Sequence, residues 1–514
     1  MTGRSHVLVL GDQLNGSTGG LAGTDPGSTS VLLVESTEWG RRRPYHRQKL
    51  VLVYAAIRHF AAELADAGYD VHLRRVDRFA DGIAAHLAAF PGIDVTLAEP
   101  ADHGVVDLVR AAVEAAGGAL RVVPNDLWLS DPADFDRWAG DRATLRMEGW
   151  YRSERERTGW LMDDGEPVGG VWNLDAENRR VPPPGTRFPA VPRFEPDATT
   201  RETIAWVERT FPDHPGALEP FSWPVTRREA LGALAAFVAE RLADFGPYED
   251  ALVDGERALH HSLLSVSLNL GLITAREACE AALAAWADPS RAADPQRAIP
   301  LSSVEGFVRQ LLGWREFIRH VYRRRMPGLH EANALGHHGP LPAFYWSGET
   351  RMRCVGEAVR SVVDTGHAHH IQRLMVLGNW ALLAGVAPAE VNDWFLEMFV
   401  DAFDWVVTPN VMGMSQFADR TFTSKPYVAG GAYLHRMGDH CGRCPYRPDR
   451  STGDDACPFS TLYWDFVDRH LDLIGGNHRT APVAAAWRKR DDGAKAAIRA
   501  RAEEVRRLAA SGSL

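Results

Sequence analysis

A chain of 514 residues is too long for one ordinary core, and its 45% hydrophobic content supplies apolar material for two or three domains. The formal net charge of -10 argues against polyanion binding by bulk charge, which leaves only local basic patches such as Arg41 to Arg43 and Arg323 to Arg325. No run of eighteen apolar residues and no charged-then-apolar leader is present, so the expected setting is the cytoplasm, where thiols stay reduced and disulfides are uncommon.

Residues 1–124 alternate β-branched runs with amphipathic helices: HVLVLG, TSVLLVES, LVLVYAAIRHFAAELADAG, DVHLRRV, IDVTLAEP and GALRVVPND. That alternation predicts a parallel, Rossmann-like α/β domain. The first strand runs into Gly11-Asp12-Gln13-Leu14, at a strand end where open α/β sheets bind ligands, and no GxGxxG follows to mark a dinucleotide. Over 125–223 the periodicity fades into Pro, Gly, Trp and charge (WNLDAENRRVPPPGTRFPAVPRF), which reads as an interdomain connector docked over the surface. From 224 to 514 nearly every segment has helical spacing and predicts an all-α domain.

Within that helical part, His260-His261-Ser262-Leu263-Leu264-Ser265 sets hydroxyls at a helix start. Free N–H groups there suit a phosphate or ribityl chain, although serine is equally an ordinary N-cap. Further on, Arg309, Gln310 and Trp314 interrupt an apolar helical pattern, and buried polar groups need partners. His369 and His370 lie one turn before Arg373 on a helix. An arginine there lowers an imidazole pKa and a nearby carboxylate or flavin anion raises it, so the pair can be tuned as acid and base; a surface pair or a metal site fits the same residues.

Four of the five cysteines could enclose a metal centre: Cys441, Cys444 and Cys457 in CGRCPYRPDRSTGDDACPF, with Cys354 far upstream. Three clustered ligands and one distant one lean towards iron–sulfur, whereas zinc completed by His435 or His440, or plain reduced thiols, also fits the residues alone. Cys279 sits on an apolar helical face and reads as core.

The ordered set HSLLSVSLNLGL, EGFVRQLLGWREF, AHHIQRLMVLGNWALLAG, DAFDWV, PNVMGMSQFAD and KPYVAGG, followed by CGRC, resembles the photolyase and cryptochrome superfamily over essentially the whole chain. More narrowly it is similar to the iron–sulfur bacterial cryptochromes and photolyases, also called prokaryotic (6-4) photolyases. The resemblance implies an α/β antenna domain and an all-α domain that buries FAD. It implies a [4Fe-4S] cluster on Cys354, Cys441, Cys444 and Cys457, and a 6,7-dimethyl-8-ribityllumazine antenna near Asp12, Gln13 and Glu35. By position, Ser262, Leu263, Leu264 and Ser265 would hold FAD phosphate and ribityl groups, with Arg309, His369, Arg373, Asn379, Asp401, Asp404 and Asn410 around the flavin. Asp401 and Asp404 are interchangeable at this stage as the acid that meets the flavin N3 and the acid that pairs with an arginine.

The same resemblance places Gln310, Trp314 and Tyr427 at the DNA lesion. Where the wider superfamily has a W-Q-W element this chain has Ser415-Gln416-Phe417, so the electron relay is expected through Trp394 and Trp346, with Phe395 where some relatives carry Tyr. The implied activity is light-driven repair of (6-4) photoproducts in UV-damaged DNA, with His369 and His370 managing a proton and no obligate protein partner. The rivals are a blue-light cryptochrome without repair, repair of cyclobutane dimers, and a DNA-binding iron–sulfur protein resembling the large primase subunit.

Overall fold

The computed structural model of the chain describes residues 4–294 and 297–514. Five strands, β1 (Ser5–Val9), β2 (Thr29–Ser36), β3 (Asp70–Val76), β4 (Asp94–Ala98) and β5 (Ala119–Val123), form an all-parallel sheet in the order β3-β2-β1-β4-β5. Successive side chains point to opposite faces, so continuous apolar strands bury both. Val7, Val9, Val31 and Leu33 share a core with the helix Arg47–Asp66. Leu8, Leu32 and Val34 pack on the other side, against Ile83 and Leu87 of Phe79–Ala89 and against Val109 and Val113 of Val105–Ala115. Strand order reverses between β1 and β4, which puts the ligand crevice of such a sheet beyond their carboxyl ends, where Gly11 and Asp12 leave β1.

The 125–223 stretch carries more regular structure than its composition predicts. Asp131 caps the helix Pro132–Ala139 by accepting from Ala133 N, and Met147–Thr158 and Ala198–Thr210 are further helices. Pro and Gly punctuation between these short elements hides their periodicity in the sequence. Ala198–Thr210 lies against Arg47–Asp66, with Thr203 Oγ1 accepting from Arg58 Nη1 at 2.9 Å.

Beyond residue 224 the described structure is helical. Three helices widen into π-helical turns at Arg309–Arg315, Gln372–Gly378 and Asn410–Ser415, a distortion that recurs at functional sites. The loop after β1 is tied to this part of the chain: Leu14 N donates to Leu270 O at 2.8 Å and Asn15 Nδ2 to Gly271 O at 3.0 Å. Gly271 has φ of 81°, and a Cβ there would come within 3.0 Å of Leu14 N, so this close approach requires glycine. The sheet crevice therefore faces the helical domain. Among the described residues no helix is long and apolar enough to cross a membrane.

Candidate functional site

Segments 261–269, 369–373 and 399–401 meet in one polar centre. Arg373 donates Nη1 to Asp401 Oδ1 and Nη2 to Oδ2, each at 3.0 Å, and its guanidinium lies 4.3 Å from the Phe399 ring centre. Burial pushes the Asp401 pKa up, but the Arg373 charge and hydrogen bonds, together with one from Ser265, prevail and hold it at about 2. Asp404 turns elsewhere: Tyr322 Oη donates to its Oδ2 at 2.7 Å and His330 Nε2 lies 3.0 Å from its Oδ1. Of the two acids, Asp401 is the one paired with an arginine. Leu263, a non-glycine residue at φ of 56°, turns the chain where Leu264 N donates to Ser262 Oγ at 3.4 Å, and such strain collects at functional sites.

Among the described residues, buried polar atoms without a protein partner include His261 Nε2, Ser267 Oγ and both ring nitrogens of His369 on these segments, and Arg309 Nη2 and Gln416 Oε1 at two of the π-helical turns. Buried polar groups are normally paired, so this donor and acceptor set fits a large polar ligand such as a flavin dinucleotide. Arg309 itself is anchored by Glu305, whose Oε1 accepts from Nε at 3.2 Å. Asn410 donates Nδ2 to Val406 O at 2.8 Å and keeps its carbonyl free of that bond. Asn379 is committed to the core, exchanging hydrogen bonds with both backbone groups of Ala429.

The two histidines of the motif differ sharply. His369 is buried and its ring lies parallel to that of His261, with centroids 4.7 Å apart and planes 15° apart. Burial drives its pKa well below the usual value, and the neighbouring His261, His370, His367 and Arg373 act in the same direction. His370 has a side chain 48% exposed and its Nε2 lies 3.4 Å from Asp250 Oδ1. Burial by the surrounding protein lowers its pKa, yet the Asp250 hydrogen bond and the Glu249 and Asp250 charges outweigh that and raise it. The expected lowering by Arg373 is present for both rings but decides neither. Gln310 donates Nε2 to Glu249 Oε1 at 2.7 Å, Trp314 is half-buried edge-on to Phe317, and Tyr427 is 37% exposed near the charges of Asp175, Arg479 and Arg179. Nothing in the sequence pattern singles out Glu249, Asp250 or His261 as partners of this pair, because they converge only in three dimensions.

Trp394 is fully buried and lies edge-on to Phe399, the ring beneath Arg373, with centroids 5.5 Å apart. Phe395 stacks on the same Phe399 at 4.9 Å, and Trp346 is 41% exposed. The serine in Ser415-Gln416-Phe417 has a packing reason. A Cβ on Gly378 would fall 2.1 Å from Ser415 Oγ, so the two π-helical turns touch here and Gly378 and Ser415 are packed against each other.

Cys354, Cys441, Cys444 and Cys457 line one small cavity with His440, and none is in a disulfide. Cys457 caps the helix Pro458–Arg469 and Cys354 lies in the first turn of Arg353–Thr365, where the positive helix end favours thiolate. Burial and neighbouring thiol charges push Cys354 well up, Cys441 to about 11 and Cys457 to about 12, so thiolates gathered here need a cation among them. Four sulfurs converging on one cavity form a donor set suited to a soft metal centre. A Cβ on Gly431 would lie 2.9 Å from Cys457 Sγ, so glycine keeps this cradle open. His435 is exposed and does not line the cavity, and His440 Nε2 lies 3.3 Å from Glu357 Oε2.

At the sheet crevice Gln13 Nε2 donates to Ala98 O at 3.0 Å. Glu35 is not free to take a ligand, because Arg58 donates Nε to Oε2 at 2.8 Å and Nη2 to Oε1 at 2.6 Å, with Arg75 Nε at 3.1 Å from Oε1. Burial raises Asp12 to about 6 and Asp102 to about 7, the latter also through the charges of Asp404 and Asp12. Lys49, absent from the expected set, is buried beside them with Nζ donating to Leu396 O at 2.8 Å, and burial lowers its pKa to about 7.

A doubly wound sheet facing a helical domain with a polar centre is the plan of the photolyases and cryptochromes. The fold matches a crystal structure of a bacterial class III photolyase from Agrobacterium tumefaciens, with TM-score 0.55 and 14% identity, over 100% of this chain and 97% of that one. It also matches the cryptochrome of Synechocystis sp. PCC6803, with TM-score 0.52 and 14% identity, over 85% of this chain and 89% of that one. The family model described as deoxyribodipyrimidine photo-lyase-related protein matches residues 7–223. The (6-4) photolyase of Agrobacterium fabrum is 40% identical over 503 residues, 96% of this chain and 98% of that protein. The chain belongs to the (6-4) photolyase family of the photolyase and cryptochrome superfamily. That membership implies FAD as a bound cofactor.

Proposed function

We propose that this protein repairs (6-4) pyrimidine photoproducts in UV-damaged DNA under blue light, and that it works in the cytoplasm. The observation that carries the reading is the histidine pair: His369 buried against the polar centre and His370 exposed, at the start of the helical stretch that also supplies Arg373. A (6-4) lesion needs a hydroxyl moved between two bases, which calls for a proton donor that a cyclobutane dimer does not require. A signalling cryptochrome has no use for such a donor.

Reduced FAD, when bound and excited, supplies the electron for the reaction. Arg373 and Asp401 form the rigid charged wall of its site, with Ser262 to Ser265, Arg309 and Asn410 contributing polar atoms, and the protein orients and tunes the cofactor chemistry. A damaged, poorly paired base leaves the stack at reduced cost and enters the cleft, where Gln310, Trp314 and Tyr427 meet it. Arg179 and Arg479 beside Tyr427 would hold phosphates, which makes binding salt-dependent and tolerant of sequence.

The antenna domain spans residues 1–124, the connector 125–223 and the FAD and cluster domain 224–514. Cys354, Cys441, Cys444 and Cys457 hold a [4Fe-4S] cluster. Gln13, with Asn15, Thr18 and Asn125, lines a pocket at the crevice that would take a lumazine antenna, with Asp12 next to it in the chain, and Glu35 supports that crevice through Arg58 rather than touching the ligand. The test is illumination of the flavin-loaded protein with defined (6-4) and cyclobutane oligonucleotides side by side, scored by restored thymines. Repair of the (6-4) substrate is expected. Repair of neither lesion with fully reduced FAD would replace this reading with a photoreceptor.

A further inference from the structure

The two histidines assigned to proton transfer stand in opposite surroundings, and the side chains that make the difference are Asp250 and His261. His370 Nε2 lies 3.4 Å from Asp250 Oδ1, with Glu249 as a second acid close by. Glu249 is held in place, since Gln310 Nε2 donates to its Oε1 at 2.7 Å and Asn178 Nδ2 to its Oε2 at 3.1 Å. Arg179 Nε stands 3.8 Å from the other Asp250 oxygen, Oδ2. Among the described residues His369 has no carboxylate partner. Its face is covered by His261, neither of its ring nitrogens is bonded, and His367 and Arg373 add positive character nearby. Two buried stacked imidazoles do not both carry charge.

The charged and titratable groups that face His370 are thus Glu249 and Asp250 from the segment after Leu242–Phe245, His261 from the segment before Ser265–Asn269, and His369 and Arg373 from its own stretch of chain. The two carboxylates outweigh the one arginine. A carboxylate at one imidazole nitrogen also fixes the ring's orientation and leaves the opposite nitrogen to deliver a proton.

We propose that Asp250 is a positioning residue that holds His370 as the cationic proton donor of the pair, while His261, stacked on His369, holds that ring neutral as the acceptor. The chemistry rests on the repair reading. One proton leaves His370 for the lesion oxygen, the carbon–oxygen bond to one base breaks and that to the other forms, and the bond joining the bases breaks. The proton returns to the histidine pair and the electron returns to the cofactor, so the reaction consumes neither oxidant nor reductant.

The experiment uses the full-length, flavin-loaded protein labelled with 15N-histidine, with His370 assigned from the His370→Gln spectrum. Asp250→Asn is expected to lower the His370 titration midpoint by about one unit or more and to leave His369 neutral across the range. Repair of a (6-4) oligonucleotide should then fall selectively on the alkaline side of its pH profile, and Asp250→Glu should restore it. An unchanged His370 midpoint, or a repair loss equal at every pH, overturns the proposal. A parent that repairs neither lesion while Asp250→Asn still shifts the midpoint removes the repair reading and supports the Asp250 assignment.

Discussion

The indole N–H of Trp394 donates to the backbone carbonyl of Tyr345 at 3.0 Å, one residue before the half-exposed Trp346. That bond ties the buried ring beside Phe399 to the segment carrying the ring that meets solvent. Tyr345 lies between them but is a poor stop for a hole, because its Oη donates at 2.6 Å to Leu377 O, a backbone carbonyl that cannot take its proton. Trp394→Phe should slow photoreduction of the bound flavin by external reductant at least about tenfold, and Trp346→Phe should slow it through the same route. Tyr345→Phe should leave it near the parent rate. Photoreduction kinetics under blue light decide, and parent-like rates in both tryptophan variants would dismiss the route.

Asp401→Asn removes one half of the buried fork with Arg373 and leaves a guanidinium without its counter-charge, at a cost of about 3–5 kcal/mol. The variant should purify with little flavin and melt well below the parent by calorimetry. The pair also sets an acid limit. The folded pKa of Asp401 is about 2, below its value in an unfolded chain, so its stabilisation is present above about pH 4 and is lost as pH falls towards 2. Asp401→Asn should show a flatter stability profile over that acid range.

Asp102 behaves in the opposite sense. Its folded pKa of about 7 lies above the unfolded value, so the folded state is favoured when it is protonated, and that advantage disappears as pH rises through 7. Asn at 102 keeps an acceptor for Trp405 N, which Asp102 Oδ1 engages at 2.9 Å. Asp102→Asn should therefore raise the melting temperature by a few degrees at pH 8 and change little at pH 5. No difference between the two pH values would mean that Lys49 and solvent already neutralise the acid.

Anaerobically purified protein should carry four irons and matching sulfide, because Cys354, Cys441, Cys444 and Cys457 converge on one cavity. Cys441→Ala should drop the iron content and loosen the contact between Arg353–Thr365 and the C-terminal helices, seen as loss of soluble protein. One equivalent of zinc with no iron after anaerobic reconstitution would rule the cluster out.

The sequence alone determined the parallel α/β domain, the helical domain, the four cysteines, and the order of motifs that marks the family. Those features are local: period-two and period-3.6 patterning, and residue types whose chemistry travels with them. The helices hidden at 132–139 and 198–210 escaped because Pro and Gly break the pattern into pieces too short to show a period. Glu35 reads as an available strand-end acid, and only folding brings Arg58 and Arg75 onto it. Likewise the choice between Asp401 and Asp404, the pairing of His370 with Asp250, and the stack of His261 on His369 depend on segments more than a hundred residues apart or on which face of a turn points inward. A carboxylate within a few ångströms shifts an imidazole, and burial shifts it the other way, and both distances are properties of the tertiary structure.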